Sequence, residues 1–292
     1  MSKIIENLKK VHSNEELFEI ALKLEKAYAP YKLAFLGWDF IFSYFPNNSY
    51  DTITKISLTT TPHKFINDLV LSYCGTERVI KYHLAKSHLK NNDEICVFEF
   101  KVNDSRLDFG VINGSSYAYE IKTERDNTTR LKKQIKDYKK VFEYVSVVTH
   151  ECHIRQVMKT VGSEIGILQY KLDMGSCEFF WIRQPKINRG VQKKMQIEHL
   201  NTPELSNGIL LKGISKNEIP IYKNSRRNKI NSLYNKSEIN DFFKYSIKLR
   251  QEKKWGNVKS KFNILHPIDL QECYSNFFDP DQCYTIKAPH LY

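Results

Sequence analysis

Asp108, Glu120 and Lys122 are the residues of this sequence whose types and spacing could do chemistry together. Between them lies Asn113-Gly114-Ser115-Ser116, a hairpin turn signal because Asn and Gly accept positive φ. So short a loop brings Asp108 opposite Glu120 to within about one residue. Side chains alternate along a strand, so Ala118, Glu120 and Lys122 share one face while Tyr117, Tyr119 and Ile121 take the other. Among aromatic and β-branched neighbours these charges should be buried, and buried charge is costly unless it is paired or bound to metal. Two converging carboxylates suit a hard cation such as Mg²⁺, with Mn²⁺ able to substitute, and a lysine beside them can orient or help activate water. That is an apparatus for phosphodiester hydrolysis.

Asp108, a gap of eleven residues and then Glu120-Ile121-Lys122 resembles the D-x(n)-E-x-K core of the PD-(D/E)XK nuclease superfamily. Gln134 to Tyr138 resembles the Q-x-x-x-Y element of its RecB-like branch. Glu77, 31 residues before Asp108, is similar to the first-helix glutamate of Holliday-junction resolvases and TnsA-like transposon nucleases. The longer string Ile112-Asn113-Gly114, Tyr119 to Lys122, Asp126, Arg130-Leu131, Gln134, Tyr138 and Val141-Phe142 looks like a little-characterised bacterial family of such nucleases associated with mobile elements. The resemblance covers Thr76 to Glu151, extends weakly toward Trp255, and departs from the pattern at Leu107, where many members have proline. It implies a restriction-endonuclease-like fold and a Mg²⁺-dependent DNA endonuclease. Asp108 and Glu120 would hold the ion, Glu77 would be an auxiliary ligand, the Ile121 carbonyl would complete the shell, and Lys122 would position water. Gln134 and Tyr138 would support the site. Phage defence, mobile-element maintenance and repair would all use such a site.

The elements that must position these groups can be read locally. Thr76 can cap a helix whose first turn holds Glu77, with Ile80 and Leu84 on the same face. Ile95 to Phe100 reads as a strand in which Glu99 is the only charge, either supporting the site or facing water at the strand end. Asp126 or Asn127 can cap a helix with Leu131, Ile135, Tyr138 and Phe142 as its apolar stripe, and Gln134 and Tyr138 one turn apart can both reach the Glu120 strand. Val145 to Thr149 then gives strand, helix, strand, and so a right-handed crossover to a parallel neighbour. The fold class is α/β: a mixed β-sheet flanked by helices, with helical N-terminal and C-terminal extensions. The boundaries read as an N-terminal extension over 1–75, a core over 76–183, and a basic, mainly helical region with a docked tail over 184–292. Ser13 to Glu16 has the form of a capping box, Thr61-Pro62 starts a helix, and Ser237 can cap another. Trp38 to Phe45 is aromatic, either a base-stacking surface or core.

Composition bounds the partners. Lysine and arginine exceed aspartate and glutamate by 12, which favours a polyanion such as DNA. Lys132, Lys133 and Lys136 on the helix, Arg189, Lys193 and Lys194 in a basic loop, and Arg226-Arg227 are the candidate contacts. Six scattered cysteines without metal spacing read as reduced thiols of a cytoplasmic protein. No run reaches the roughly 18 apolar residues of a membrane span. A non-catalytic nucleic-acid-binding or assembly subunit, a protein partner or homodimer, and the same hydrolysis acting on RNA stand as alternatives.

Overall fold

The computed structural model describes residues 2–173 and 176–284. The chain divides into two compact units, one made of Met1–Ser87, Tyr170–Glu178 and Gly256–Tyr292, the other of His88–Gln169 and Phe179–Trp255. Both are therefore assembled from segments far apart in the chain, unlike the three consecutive regions read from the sequence. No helix among the described residues is long and apolar enough to cross a membrane.

The first unit is helical. Ser13 and Glu16 form the capping box that starts the helix Asn14–Ala27, and Thr61 caps the helix Pro62–Tyr73 by accepting from the Lys64 N–H. Trp38, Phe40 and Phe45 are buried in its core with Phe65 and Leu69, so this aromatic run is packed rather than presented. The C-terminal segment docks here as far as residue 284; residues 285–292 lie outside the described part. Asp269, with no exposed surface, accepts from the Tyr28 hydroxyl at 2.7 Å and from the Tyr284 hydroxyl, and His266 stacks on the Tyr284 ring.

Burial pushes the Asp269 carboxyl up to about 7 and the His266 imidazole down to about 4, so between those values both groups are neutral when folded. In the unfolded chain, between about pH 4 and 6.5, the aspartate has lost its proton and the histidine has gained one. Asp269 alone would make stability fall as pH rises toward 7, and His266 alone would make it fall as pH drops below 6.5; together they cancel over this window. Asp269→Asn removes one half of the balance. We expect the variant to lose stability relative to the parent from pH 6.5 down to 4, by up to about 1.4 kcal/mol per pH unit, in urea unfolding at a series of pH values. Parallel curves for the two proteins would refute the assignment.

The second unit carries most of a six-stranded mixed sheet in the order β1 (Ile95–Val102), β2 (Ser105–Ile112), β3 (Ser116–Lys122), β4 (Tyr144–Thr149), β5 (Gly166–Asp173) and β6 (Ser176–Arg183). β1, β2 and β3 form an antiparallel meander, and β3, β4 and β5 are parallel. The β2–β3 turn has Gly114 at φ 100°, the conformation for which glycine is suited. The β1–β2 turn uses Asn103 at φ 55°, asparagine being among the residues that tolerate it. The helix Leu131–Tyr138 makes the crossover from β3 to β4.

Three local expectations differ from what is found. The crossover helix begins at Leu131 rather than after Asp126, because Asp126 accepts from the Thr123 N–H and hydroxyl and Asn127 from Thr129. The helix Lys236–Lys261 is capped by Asn235, reciprocally with Glu238, and Ser237 lies inside it. Thr76 makes no hydroxyl cap on the helix Glu77–Ser87.

Candidate functional site

The β1–β2 register runs Phe98↔Phe109 and Phe100↔Leu107, which sets Glu99 across from Asp108. The β2–β3 register runs Phe109↔Tyr119, and one further step sets Asp108 across from Glu120. Residues directly opposite share a sheet face, so three carboxylates stand in a row across three adjacent strands. At both joints the ladder gives way. Glu99 has φ 53° inside its strand, and Asp108 Oδ2 accepts the Ile121 N–H at 2.7 Å, a side chain taking a ladder bond. Glu99 and Asp108 bring carboxylate oxygens within 4.8 Å of each other. Glu99 is also ion-paired with Arg106.

A left-handed, non-glycine residue in a strand costs about 1–2 kcal/mol, which the surrounding sheet must supply. Glu99→Gly should therefore raise stability by about 1 kcal/mol, read as a higher urea midpoint at unchanged slope, while removing one carboxylate from the row. The exposed arginine partner changes this little. A lower midpoint would mean that the Glu99 carboxylate itself holds the strand.

Glu120 is buried and densely contacted. Its Oε1 accepts from Lys122 Nζ at 2.7 Å and from Gln134 Nε2, and its Oε2 accepts from the Tyr138 hydroxyl at 2.6 Å. Gln134 and Tyr138 thus both reach Glu120 from the crossover helix. The Tyr138 oxygen also lies 2.8 Å from the Arg106 carbonyl. Burial and the Glu120 carboxylate push the Tyr138 phenol well above its usual range, so it stays a proton donor. Lys122 is largely buried in its pair with Glu120. Glu77 opens its helix in the first unit and pairs with Lys81. A single charge in a strand does not reveal a left-handed backbone beside Asp108, so only the fold assigns Glu99 its place; Arg106, whose carbonyl meets Tyr138, carries no local signal of that contact.

The basic residues divide into two groups. Lys132, Lys136, Arg189 and Lys194 are exposed, and exposed Lys133 pairs with Asp104 at 3.3 Å. Lys193 binds the Asn231 carbonyl, Arg226 the Pro220 carbonyl and Ser206, and Arg227 the Glu198 carbonyl. These three brace the C-terminal helices of the second unit through neutral internal acceptors, so each keeps its positive charge.

Fold and site together define an α/β protein whose mixed sheet carries a row of carboxylates with a buried lysine at its end. Residues 76–271, about two thirds of the chain, match the family of bacteriophage P4 protein cII, and the chain belongs to that family. It is 30% identical over 110 residues to protein cII of Enterobacteria phage P4, a match that spans 38% of this chain and 42% of that protein, so less than half of the relative is represented. Among solved structures it is similar to the SPO1766 protein of unknown function from Silicibacter pomeroyi, at 16% identity and a TM-score of 0.31, over 48% of this chain and 92% of that one. A likeness of that size fixes neither fold nor function.

Proposed function

We propose that this chain is a Mg²⁺-dependent phosphodiesterase acting on DNA, with a restriction-endonuclease-like core. The observation that carries the reading is the row Glu99, Asp108, Glu120 on three neighbouring strands, with Lys122 two residues beyond Glu120 on the same face. The donors suit a hard cation, which takes oxygen ligands: Glu99 and Asp108 already offer two carboxylate oxygens within 4.8 Å of each other. Asp108 and Glu120 are the proposed principal ligands and Glu99 an added one. The Ile121 carbonyl belongs to a residue whose N–H is already held by Asp108. Glu77, in the other unit, is kept as an auxiliary ligand on its spacing in the sequence alone.

A bound divalent ion would lower the pKa of a coordinated water and stabilise charge on the phosphoryl oxygens. The Lys122 ammonium orients the attacking water and opposes the negative charge that grows on the phosphorane. Gln134 and Tyr138 fix the rotamer of Glu120. Exposed Lys132, Lys133, Lys136, Arg189 and Lys194 would take phosphates of the substrate, a contact that positions without reading sequence.

One observation favours a second reading, a nucleic-acid-binding or assembly subunit without catalysis. The Glu120 carboxylate is already met by three donors, so coordination requires it to give up at least one. A single experiment separates the two readings: purified protein with Mg²⁺, Mn²⁺ or EDTA, on linear, supercoiled, branched and single-stranded DNA and on RNA. Divalent-dependent scission is expected. Salt-sensitive binding with no scission in either metal would overturn the enzymatic reading in favour of the second, and scission confined to RNA would correct the substrate.

A further inference from the structure

The crossover helix has a second working side. Gln134 and Tyr138 face Glu120, whereas Lys132, Lys136, Lys139 and Lys140 project from the opposite side of the helix and its last turn, at helical spacing, into a cleft of about 400 Å³. Ile135 and Val161 give the cleft an apolar strip. Two of the four ammonium groups are matched: Lys139 pairs with Glu164 on the wall, and Lys140 with Asp137 at 3.0 Å. Lys132 and Lys136 have no carboxylate partner among the described residues, although they are four apart on one helix face, where like charges repel. An anion seated between them would turn that repulsion into attraction.

From this geometry we infer that the cleft is a binding site for a nucleoside phosphate. The volume lies within the roughly 300–1,000 Å³ of small-molecule sites. Its cations are all lysines, point charges suited to phosphate oxygens, and no arginine fork for a planar carboxylate lines it. The apolar strip beside the charges gives a surface for a base or sugar. Phosphate would sit between Lys132 and Lys136, and Lys139 could turn to it from Glu164. The same chemistry is met by a free nucleotide or by the terminal phosphate of a nucleic-acid strand.

The test is calorimetric titration in EDTA, which leaves metal-dependent hydrolysis out of the measurement, so that its failure and the failure of the nuclease reading are separate results. ATP and a 5′-phosphorylated thymidine tetranucleotide are titrated into the full chain, into Lys132→Gln/Lys136→Gln, and into Lys216→Gln/Lys223→Gln, which removes equal charge from exposed sites elsewhere in the unit. The first double variant should bind at least tenfold more weakly, and the second should match the parent. Binding of ATP would identify a free nucleotide as the ligand; binding of the tetranucleotide alone, lost when its 5′-phosphate is removed, would identify a strand terminus, and binding kept without that phosphate would return Lys132 and Lys136 to backbone contacts and overturn the inference. No binding of either probe to the parent, or equal weakening in both double variants, would overturn the inference. Circular dichroism of each variant confirms that the helix is intact.

Discussion

Asp108→Asn is expected to abolish divalent-dependent cleavage, by 10³-fold or more, while the protein keeps its fold. The carboxylate stands between Glu99 and Glu120 in the row, so its charge is the one that both neighbours need in order to share an ion. It also has a structural duty, because its Oδ2 accepts the Ile121 N–H where the β2–β3 ladder stops. Alanine would leave that N–H without its acceptor at a cost of about 1–3 kcal/mol, so an Asp108→Ala protein would confound lost chemistry with lost stability. Asparagine keeps an acceptor oxygen and removes only the charge. Cleavage by Asp108→Asn at the parental rate, in protein freed of contaminating nuclease, would remove Asp108 from the mechanism; loss of cleavage with unchanged metal affinity by calorimetry would move its role from holding the ion to positioning substrate.

The second large effect is at Lys122, where function and stability should separate. Lys122→Met should lower turnover by about 10²-fold or more, the usual consequence of deleting an electrostatic contact to the transition state. It should also destabilise the second unit by about 3–5 kcal/mol, because buried Glu120 would lose the Lys122 cation paired with it while keeping the neutral donors Gln134 and Tyr138. Adding Glu120→Gln to Lys122→Met removes the stranded charge, and the double variant should regain most of the stability but none of the activity. Urea unfolding of the four members of this cycle gives the coupling directly. If Lys122→Met proved as stable as the parent, the pair would not be the buried ion pair described; if the double variant regained turnover, Lys122 would act only through Glu120 and not on water or phosphate.

Much of the second unit could be read from short-range pattern. The Asn113-Gly114 turn and the two-residue alternation of Tyr117 to Lys122 are local properties, and they suffice to set Asp108 opposite Glu120. One helical turn between Gln134 and Tyr138 likewise suffices to aim both at one strand. The mixed sheet follows from a hairpin and a crossover, each legible in its own segment.

What the sequence could not decide are the choices in which distant groups compete. Asp126 looks like a helix cap from its neighbours, but its carboxylate is taken by Thr123 and the helix starts at Leu131. Arg226 and Arg227 read from the sequence only as a basic pair, and the fold adds that each also holds a distant backbone carbonyl, at Pro220 and Glu198. The hydrogen bond from Tyr28 to Asp269 joins residues 241 positions apart, which no local rule anticipates. Glu99 is the sharpest case, because its residue type and strand pattern call for extended backbone and only the packed sheet holds it left-handed beside Asp108. Local sequence determined which residues could converge, since turn chemistry and side-chain period act over a few residues. Tertiary structure decided which carboxylates do converge and which charges are already paired, since burial and hydrogen-bond competition exist only once the chain is packed.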